Sequence, residues 1–180
     1  MEKFLNIPVY DLLTSGTTDG TGADLEDTGA SFTTDGLSVG DIVHQSTDDE
    51  YYTIAAITSD TELDLTPLQG APATIASGKA YFIHSATAFK GQIVSCVNVG
   101  LMEQAAADTI TITYDVSSGT NDVVTLTTTP LAAGSEVGRD TLQAETVKAL
   151  QTKWNEPSYN LVGQALLDAG NIKCIGIAIG

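Results

Sequence analysis

Positive charge is what this sequence has least of. Seven Lys and Arg residues stand against 23 Asp and Glu residues, which gives a formal net charge of −16. From Phe4 to Gly78 there are thirteen acidic residues and no lysine or arginine. Nucleic-acid backbones and anionic membranes are bound through clustered Lys and Arg, so we expect neither as a partner. Such acidity is typical of a solvated, self-repelling surface, and binding of a cation or of a basic partner is the alternative.

Long apolar runs and cysteines are also scarce. No run approaches the length of a membrane span, and Asn6 and Pro8 interrupt the short apolar patch Phe4 to Val9, so we expect no signal peptide. Cys96 and Cys174 each lie in an apolar, strand-like run. We interpret them as buried free thiols in a reducing compartment. A disulfide is the alternative if their two strands are neighbours.

Catalytic and metal-binding motifs are missing as well. The glycine-rich segment 16–22 is followed neither by Lys-Ser/Thr nor by a helix, and no serine lies in a nucleophile elbow. His44 and His84 lack the spacing of metal ligands, although the two with Asp41 would form a site if the fold joined them. The acidic run 19–26 lacks the spacing of a calcium loop. We therefore expect no enzyme activity, no cofactor and no metal site.

The first half of the chain has the pattern of a turn-rich β module. Leu63 and Leu65 alternate with acidic residues, which is the pattern of a half-buried strand. Short strands are predicted near 23–27, 39–45, 51–58, 62–66 and 80–84. Five short strands at this spacing favour a small antiparallel β-barrel or sandwich over residues 14–86. Residues 14–22 predict a flexible polar link.

The second half alternates strands with helical segments. Every second residue from Ile93 to Leu101 is apolar or small, which predicts one strand. Ile110 and Ile112 are opposed by Thr109, Thr111 and Thr113, and a polar turn at 117–122 leads to a return strand, which predicts a β-hairpin. A main helix over 141–155 with Asp140 as its N-cap, a helical turn at 161–169 and a strand at 172–179 follow. We interpret Trp154 as a core residue of the main helix.

These elements predict an α+β fold that is mostly β. We expect an α+β docking domain, formed by residues 1–13 and 87–180, with a β-hairpin sheet and one main helix. The acidic β module, residues 14–86, is inserted into it. Insertions of this kind succeed at exposed turns whose ends lie close together.

The two terminal strands are candidates for an interface. Edge pairing would let them extend a neighbour's sheet, and pairing within the chain is the alternative that we favour. The apolar residues of the two candidate strands are Leu5, Ile7, Val9, Ile175, Ile177 and Ile179.

Several blocks of the sequence resemble small structural proteins encoded by marine tailed bacteriophages. The similar blocks are 2–9, 92–95, 101–105, 109–114 and 149–154. The acidic module is itself similar to a turn-rich module that recurs in phage virion proteins. That similarity is carried by its Gly-Ala-x-Phe, Val-Gly-Asp-x-Val and Ser-Asp-Thr-x-Leu-x-Leu elements, at 29–32, 39–43 and 59–65.

The resemblance implies a virion structural protein and transfers no catalytic residues. We expect a capsid decoration subunit, assembled into the virion in the host cytoplasm. It would bind the major capsid protein or neighbouring virion subunits as a homo-oligomer, with a trimer favoured, and the acidic module would project outward. A neck or tail adaptor, a carbohydrate- or cation-binding adhesion module, and a small hydrolase remain as alternatives.

Overall fold

The chain forms two compact units made mostly of β-strands. The structure is a computed structural model that describes residues 3–115, 122–132, 134–151 and 159–180, with the backbone alone at 159–161. Met1–Val9 and Lys90–Gly180 form one unit, which we call the α+β unit, and Tyr10–Phe89 form the other, which we call the acidic unit. The boundaries expected from the sequence lie within four residues of these.

The acidic unit is an antiparallel arrangement of short strands. Its strands are the second part of β1 (Phe4–Thr17), then β2 (Leu25–Glu26), β3 (Ile42–Gln45), β4 (Glu50–Ile57), β5 (Glu62–Pro67) and the first part of β6 (Ala80–Ser95). The order β2-β5-β4-β3-β6 is antiparallel throughout. All five strands predicted for this module are therefore present.

One face of these strands forms a core of aliphatic and tyrosine side chains. Val43 lies opposite both Tyr52 and Ile83 in the ladder, and all three are buried. Residues on the same face of neighbouring strands pack against each other because side chains alternate between the two faces of a strand. Phe32, from the loop before β3, is fully buried in this core and packs against Tyr81 at 6.2 Å between ring centroids.

The flexible link predicted at 14–22 is wrong over its first part. Strand β1 continues to Thr17, and Thr18 is buried behind it. The Thr18 hydroxyl donates to the carbonyl of Ala76 at 2.7 Å, and its N–H donates to the carbonyl of Lys79 at 2.9 Å. Threonine has high β propensity, and these long-range bonds satisfy a backbone that the local composition assigns to a turn.

The α+β unit has a mixed sheet and the two helices found among the described residues. Its further elements are β7 (Val99–Ala106), β8 (Thr109–Tyr114), β9 (Asp122–Thr128), α1 (Val137–Gln151), β10 (Tyr159–Leu161), α2 (Val162–Gly170) and β11 (Cys174–Ile179). The strand order is β1-β11-β9-β8-β7, and β10 also pairs with β1. Strand β1 is parallel to β10 and β11, and the pairs β11–β9, β9–β8 and β8–β7 are antiparallel. The predicted hairpin is present as β8 and β9.

One sequence expectation about this sheet is corrected by the structure. The single strand predicted over 93–101 is two strands, because Asn98 adopts a φ of 61° between them. Asparagine tolerates this left-handed conformation better than most residues. The Ser95 hydroxyl also accepts the N–H of Val97 at 3.0 Å and so stabilises the turn.

Pro8 lies inside β1, although proline cannot donate a hydrogen bond to a ladder. Strand β1 pairs with β10 up to Asn6 and with β11 at Val9. Pro8 therefore falls where β1 changes partner, and its missing N–H removes no bond from either ladder. The ring is buried and also lies close to Gly163 of α2.

The main helix begins four residues before its predicted start. Asp140, predicted as the N-cap, lies inside α1, and its N–H donates to the carbonyl of Glu136. Glu136, whose carbonyl accepts this bond, is therefore the N-cap residue, and the hydroxyl of the preceding Ser135 lies 3.5 Å from the N–H of Val137. The prediction was wrong because an acidic residue in the first helical turn resembles a cap in sequence. Trp154 lies outside the described residues.

The two cysteines are free and buried. The N–H of Cys96 donates to the carbonyl of Lys3, whereas Cys174 pairs with Val9. These positions are six residues apart along an extended segment, which corresponds to about 20 Å. A disulfide needs Cα atoms within about 7 Å, so the alternative of a Cys96–Cys174 bridge is excluded.

Candidate functional site

The six apolar residues proposed for an interface have different environments. Leu5 and Ile7 are buried in the core cluster of the α+β unit, with 1% and 0% exposure, and Ile175 is also buried, with 7% exposure. Val9 and Ile177 are partly buried against the same core. Ile179 is 79% exposed. The strands that carry them pair within the chain, β1 with β10 and β11, and β11 with β9.

The two outer residues of β11 line an apolar groove in the α+β unit. The groove has a volume of about 300 Å³, and β6, β8, β9 and β11 contribute to it. Ile93 on β6 is 60% exposed and faces the groove together with Ile177 and Ile179. Val124 lies opposite Ile179 in the β9–β11 ladder and forms part of the floor. We call this feature the isoleucine groove.

The Tyr114 hydroxyl in the isoleucine groove forms a structural hydrogen bond. The Tyr114 hydroxyl donates to the backbone carbonyl of Ser95 at 2.7 Å. Burial raises the pKa of Tyr114 to about 12, so the phenol is neutral and acts as a hydrogen-bond donor at neutral pH. Asp122 is the charged residue of the lining. Five of the nine lining residues are aliphatic, and a groove of this kind can bury an apolar group.

Charge is divided unequally between the two units. Residues 10–89 contain thirteen acidic residues and one lysine, a net charge of −12. Residues 1–9 and 90–180 contain ten acidic and six basic residues, a net charge of −4. The segments 91–102 and 174–180, which flank the groove, contain no charged residue.

Several carboxylates of the acidic unit have partners that fix its loops. Asp27 accepts the hydroxyl of Tyr81 at 2.7 Å in the interior, and burial followed by this bond raises the pKa of Tyr81. The Lys79 ammonium beside Asp48, at 2.7 Å, and the Gln45 amide lower the pKa of the Asp48 carboxyl. Hydrogen bonds from Thr28 lower the pKa of Asp19. These three carboxylates therefore have hydrogen-bond or ion-pair partners within the protein.

Two of the three elements that carry the resemblance of the acidic module, 29–32 and 59–65, contact each other, and the third bonds to neighbouring segments. The N–H of Phe32 donates to the carbonyl of Asp60 at 2.8 Å, and the hydroxyl of Thr33 bonds the Asp60 carboxylate. The carboxylate of Asp41 is buried and accepts the N–H of Ser38 and the N–H of Ala86, both at 2.7 Å. Phe32, Asp41 and Asp60 therefore have a structural role, because their hydrogen bonds connect loops to other segments of the unit.

Asp41, His44 and His84, which were considered together as a metal site, each have other partners in the structure. Both Asp41 oxygens accept backbone N–H groups. His44 pairs with Asp49 at 2.9 Å and stacks on Tyr51 at 4.4 Å. His84 is buried with Nδ1 3.4 Å from the carbonyl of Tyr10, and burial lowers its pKa. Among the described residues, no group of three or more His, Cys, Asp and Glu is arranged to hold a metal ion.

Comparison of the chain with protein-family models, with curated proteins and with solved structures gives no match in any of the three. Neither helix in the described part of the chain is long and apolar enough to span a membrane.

Sequence reasoning missed part of the groove. Ile93 was assigned to a strand face and not to an interface, and Tyr114 was assigned to the hairpin. The absence of charge from 91–102 in so acidic a chain is the sequence signal that distinguishes this region.

Proposed function

We propose that this chain is a non-enzymatic structural subunit of a tailed-phage virion, a decoration protein that binds the head surface through its α+β unit. The isoleucine groove is the observation that supports it most directly, because Ile93 and Ile179 are exposed in the less charged of the two units. The resemblance of the sequence blocks to phage structural proteins supports the class. The major capsid protein or a neighbouring virion subunit is the proposed partner.

The groove suits a partner that is bound in many copies. Full burial of an isoleucine side chain contributes about 1.5–3 kcal/mol, so covering Ile93 and Ile179 contributes about 2–4 kcal/mol, given exposures of 60% and 79%. This is modest for one subunit, since association itself costs several kcal/mol. Linked copies on a repeated surface increase the overall affinity without new contacts.

In this proposal the acidic unit is a small antiparallel barrel or sandwich that faces solvent. A net charge of −12 over residues 10–89 opposes close approach of other acidic surfaces and keeps particles dispersed. The internal hydrogen bonds of Asp27, Asp41 and Asp48 support a structural use of those carboxylates over cation binding.

Quantitative mass spectrometry of purified particles tests the proposal. A copy number comparable to that of the major capsid protein supports decoration of the head. The copy number of a single ring indicates a neck or tail adaptor instead. Absence of the protein from particles overturns the virion proposal, and saturable binding of calcium or of glycans by the isolated protein would then favour the adhesion module.

A further inference from the structure

A second surface of the α+β unit is the sheet face that carries a regular set of threonines. Strands β8 and β9 are in antiparallel register, with Thr109 opposite Thr127, Thr111 opposite Thr125 and Thr113 opposite Val123. All six residues are half-buried. We call these six residues the threonine face.

The threonine face lies on the opposite side of the sheet from the core. The residues that alternate with it, Ile110, Ile112, Val124 and Leu126, are buried in the core cluster that also contains residues of α1 and α2. Opposed Cβ atoms lie about 4.5–5.5 Å apart across strands, and successive residues on one face lie about 6.7 Å apart along a strand. The result is a regular grid of methyl and hydroxyl groups.

Neighbouring strands extend the face with small and apolar residues. Gly176 and Ala178 of β11 pair with Thr127 and Thr125. On the other side, Leu101 of β7 pairs with Thr113 and is 50% exposed, and Glu103 pairs with Thr111. Glu103 is the one charged residue among these neighbours.

Two properties of the face fit a second copy of the same chain. Each copy has a net charge of −16, so two copies approach with least repulsion through a surface with few charges; the six residues of the threonine face are uncharged, and Glu103 lies beside them. Threonine hydroxyls donate and accept hydrogen bonds, so the same side chain can bond to its own symmetry mate. Within the described residues, the Thr109 hydroxyl bonds Asp108 at 3.1 Å, and Thr111, Thr113, Thr125 and Thr127 have no hydroxyl bond to the protein.

We propose that the threonine face is the contact between two copies of this chain, packed sheet against sheet around a twofold axis. A patch that contacts itself is isologous and closes at two copies. The expectation of a trimer is therefore replaced by a dimer. The purpose of the dimer rests on the proposed function, since paired copies supply the multivalency that binding to the head surface requires. The dimer itself can be tested on the isolated protein.

Light scattering after size-exclusion chromatography tests the contact. The chain has a mass of 18.7 kDa, so the wild type is expected at twice that mass. Thr125→Lys places a charge in the centre of the face and is expected to give the monomer mass. Thr66→Lys is the matched control, because Thr66 is an exposed threonine on β5 of the acidic unit and the change in net charge is the same. A monomeric or trimeric wild type, or a dimeric Thr125→Lys, overturns the inference.

Cysteine cross-linking tests the same contact if the Thr125→Lys variant does not fold. Thr125→Cys is nearly isosteric and is expected to form a covalent dimer under mild oxidation that a reductant reverses, whereas Thr66→Cys does not. Equal cross-linking of the two variants overturns the contact. A stable dimer that does not bind particles refutes the proposed function alone, and a monomer that binds particles refutes this inference alone.

Discussion

Asp41 of the Val-Gly-Asp element provides a quantitative test of how the acidic unit is held together. Asp41 is 2% exposed, and its carboxylate accepts two backbone N–H groups, from Ser38 and Ala86, at 2.7 Å each. Hydrogen bonds to a charged group contribute about 1.5–3 kcal/mol each. The variant Asp41→Ala removes both acceptors and leaves the Ala86 N–H without one. Ser38 is exposed, so water replaces that bond in part.

We therefore expect Asp41→Ala to lower the free energy of unfolding by about 2–4 kcal/mol. Asp41→Asn keeps one acceptor oxygen and is expected to lose about half of that amount. Urea denaturation followed by circular dichroism measures both, with coincidence of the far- and near-ultraviolet transitions as the check for a two-state transition in this two-unit chain.

The control for this prediction is Asp64→Ala, because Asp64 is exposed on β5 of the same unit. Surface substitutions of this kind stay within about 0.5 kcal/mol of the wild type. Hydrogen exchange gives a second readout, since the Ala86 amide is expected to lose protection in Asp41→Ala and to keep it in Asp64→Ala. If Asp41→Ala unfolds at the same urea concentration as Asp64→Ala, the structural role assigned to this carboxylate is wrong.

Three further predictions concern pH, thiol reactivity and packing. Burial lowers the pKa of His84, so the folded state favours the neutral imidazole. The contribution of His84 to the free energy of unfolding is therefore complete above the ordinary pKa of 6.5 and decreases as the pH falls below it. His84→Gln should flatten this part of the plot of urea midpoint against pH. Burial raises the pKa of Cys96, and burial raises the pKa of Cys174 to about 12. Ellman's reagent should therefore label neither thiol in the native protein and both in urea, and fast native labelling would contradict their burial. A Cβ at Gly138 lies 2.8 Å from Ile110 Cδ1, so Gly138→Val should destabilise the protein by about 1–3 kcal/mol and Ala144→Val, on the exposed side of the same helix, by about 0.5 kcal/mol or less.

Local alternation was sufficient to predict most of the strands. The pattern around Leu63 and Leu65 fixed which side of β5 is buried, and both side chains lie in the core of the acidic unit. The hairpin of β8 and β9 also followed from alternation, because Ile110 and Ile112 are buried while the threonines between them are half-buried. Period-2 patterns succeed when one face is covered and the other is not.

Long-range bonds decided the elements that the sequence did not predict. Thr18 was assigned to a flexible link by local composition, but its partners are Ala76 and Lys79, about sixty residues away along the chain. Strand β10 was missed because a three-residue strand has too few positions to show alternation. The N-cap of α1 was assigned to the wrong residue because Asp140 is of a type preferred at helix starts, whereas Glu136 is not.

The groove was only partly predictable for the same reason. Ile177 and Ile179 were identified as interface candidates from their alternation, together with four residues that are buried or partly buried in the core. Which residues of an apolar strand stay exposed depends on what packs over them, and Ile93 comes from a distant strand. Alternation predicts which face of a strand is buried, but not how many side chains of that face are covered by other elements.

Binding of recombinant protein to particles that lack it is the most direct measurement of the central claim. The wild type is expected to bind in a saturable manner, and Ile179→Asp is expected to bind at least about tenfold more weakly, since that change removes about 1.4 kcal/mol or more of apolar contact and places a charge in the groove. Thr66→Asp, with the same added charge on the acidic unit, should bind as the wild type does. Failure of the wild type to bind, or equal binding of wild type and Ile179→Asp, would contradict docking through the isoleucine groove.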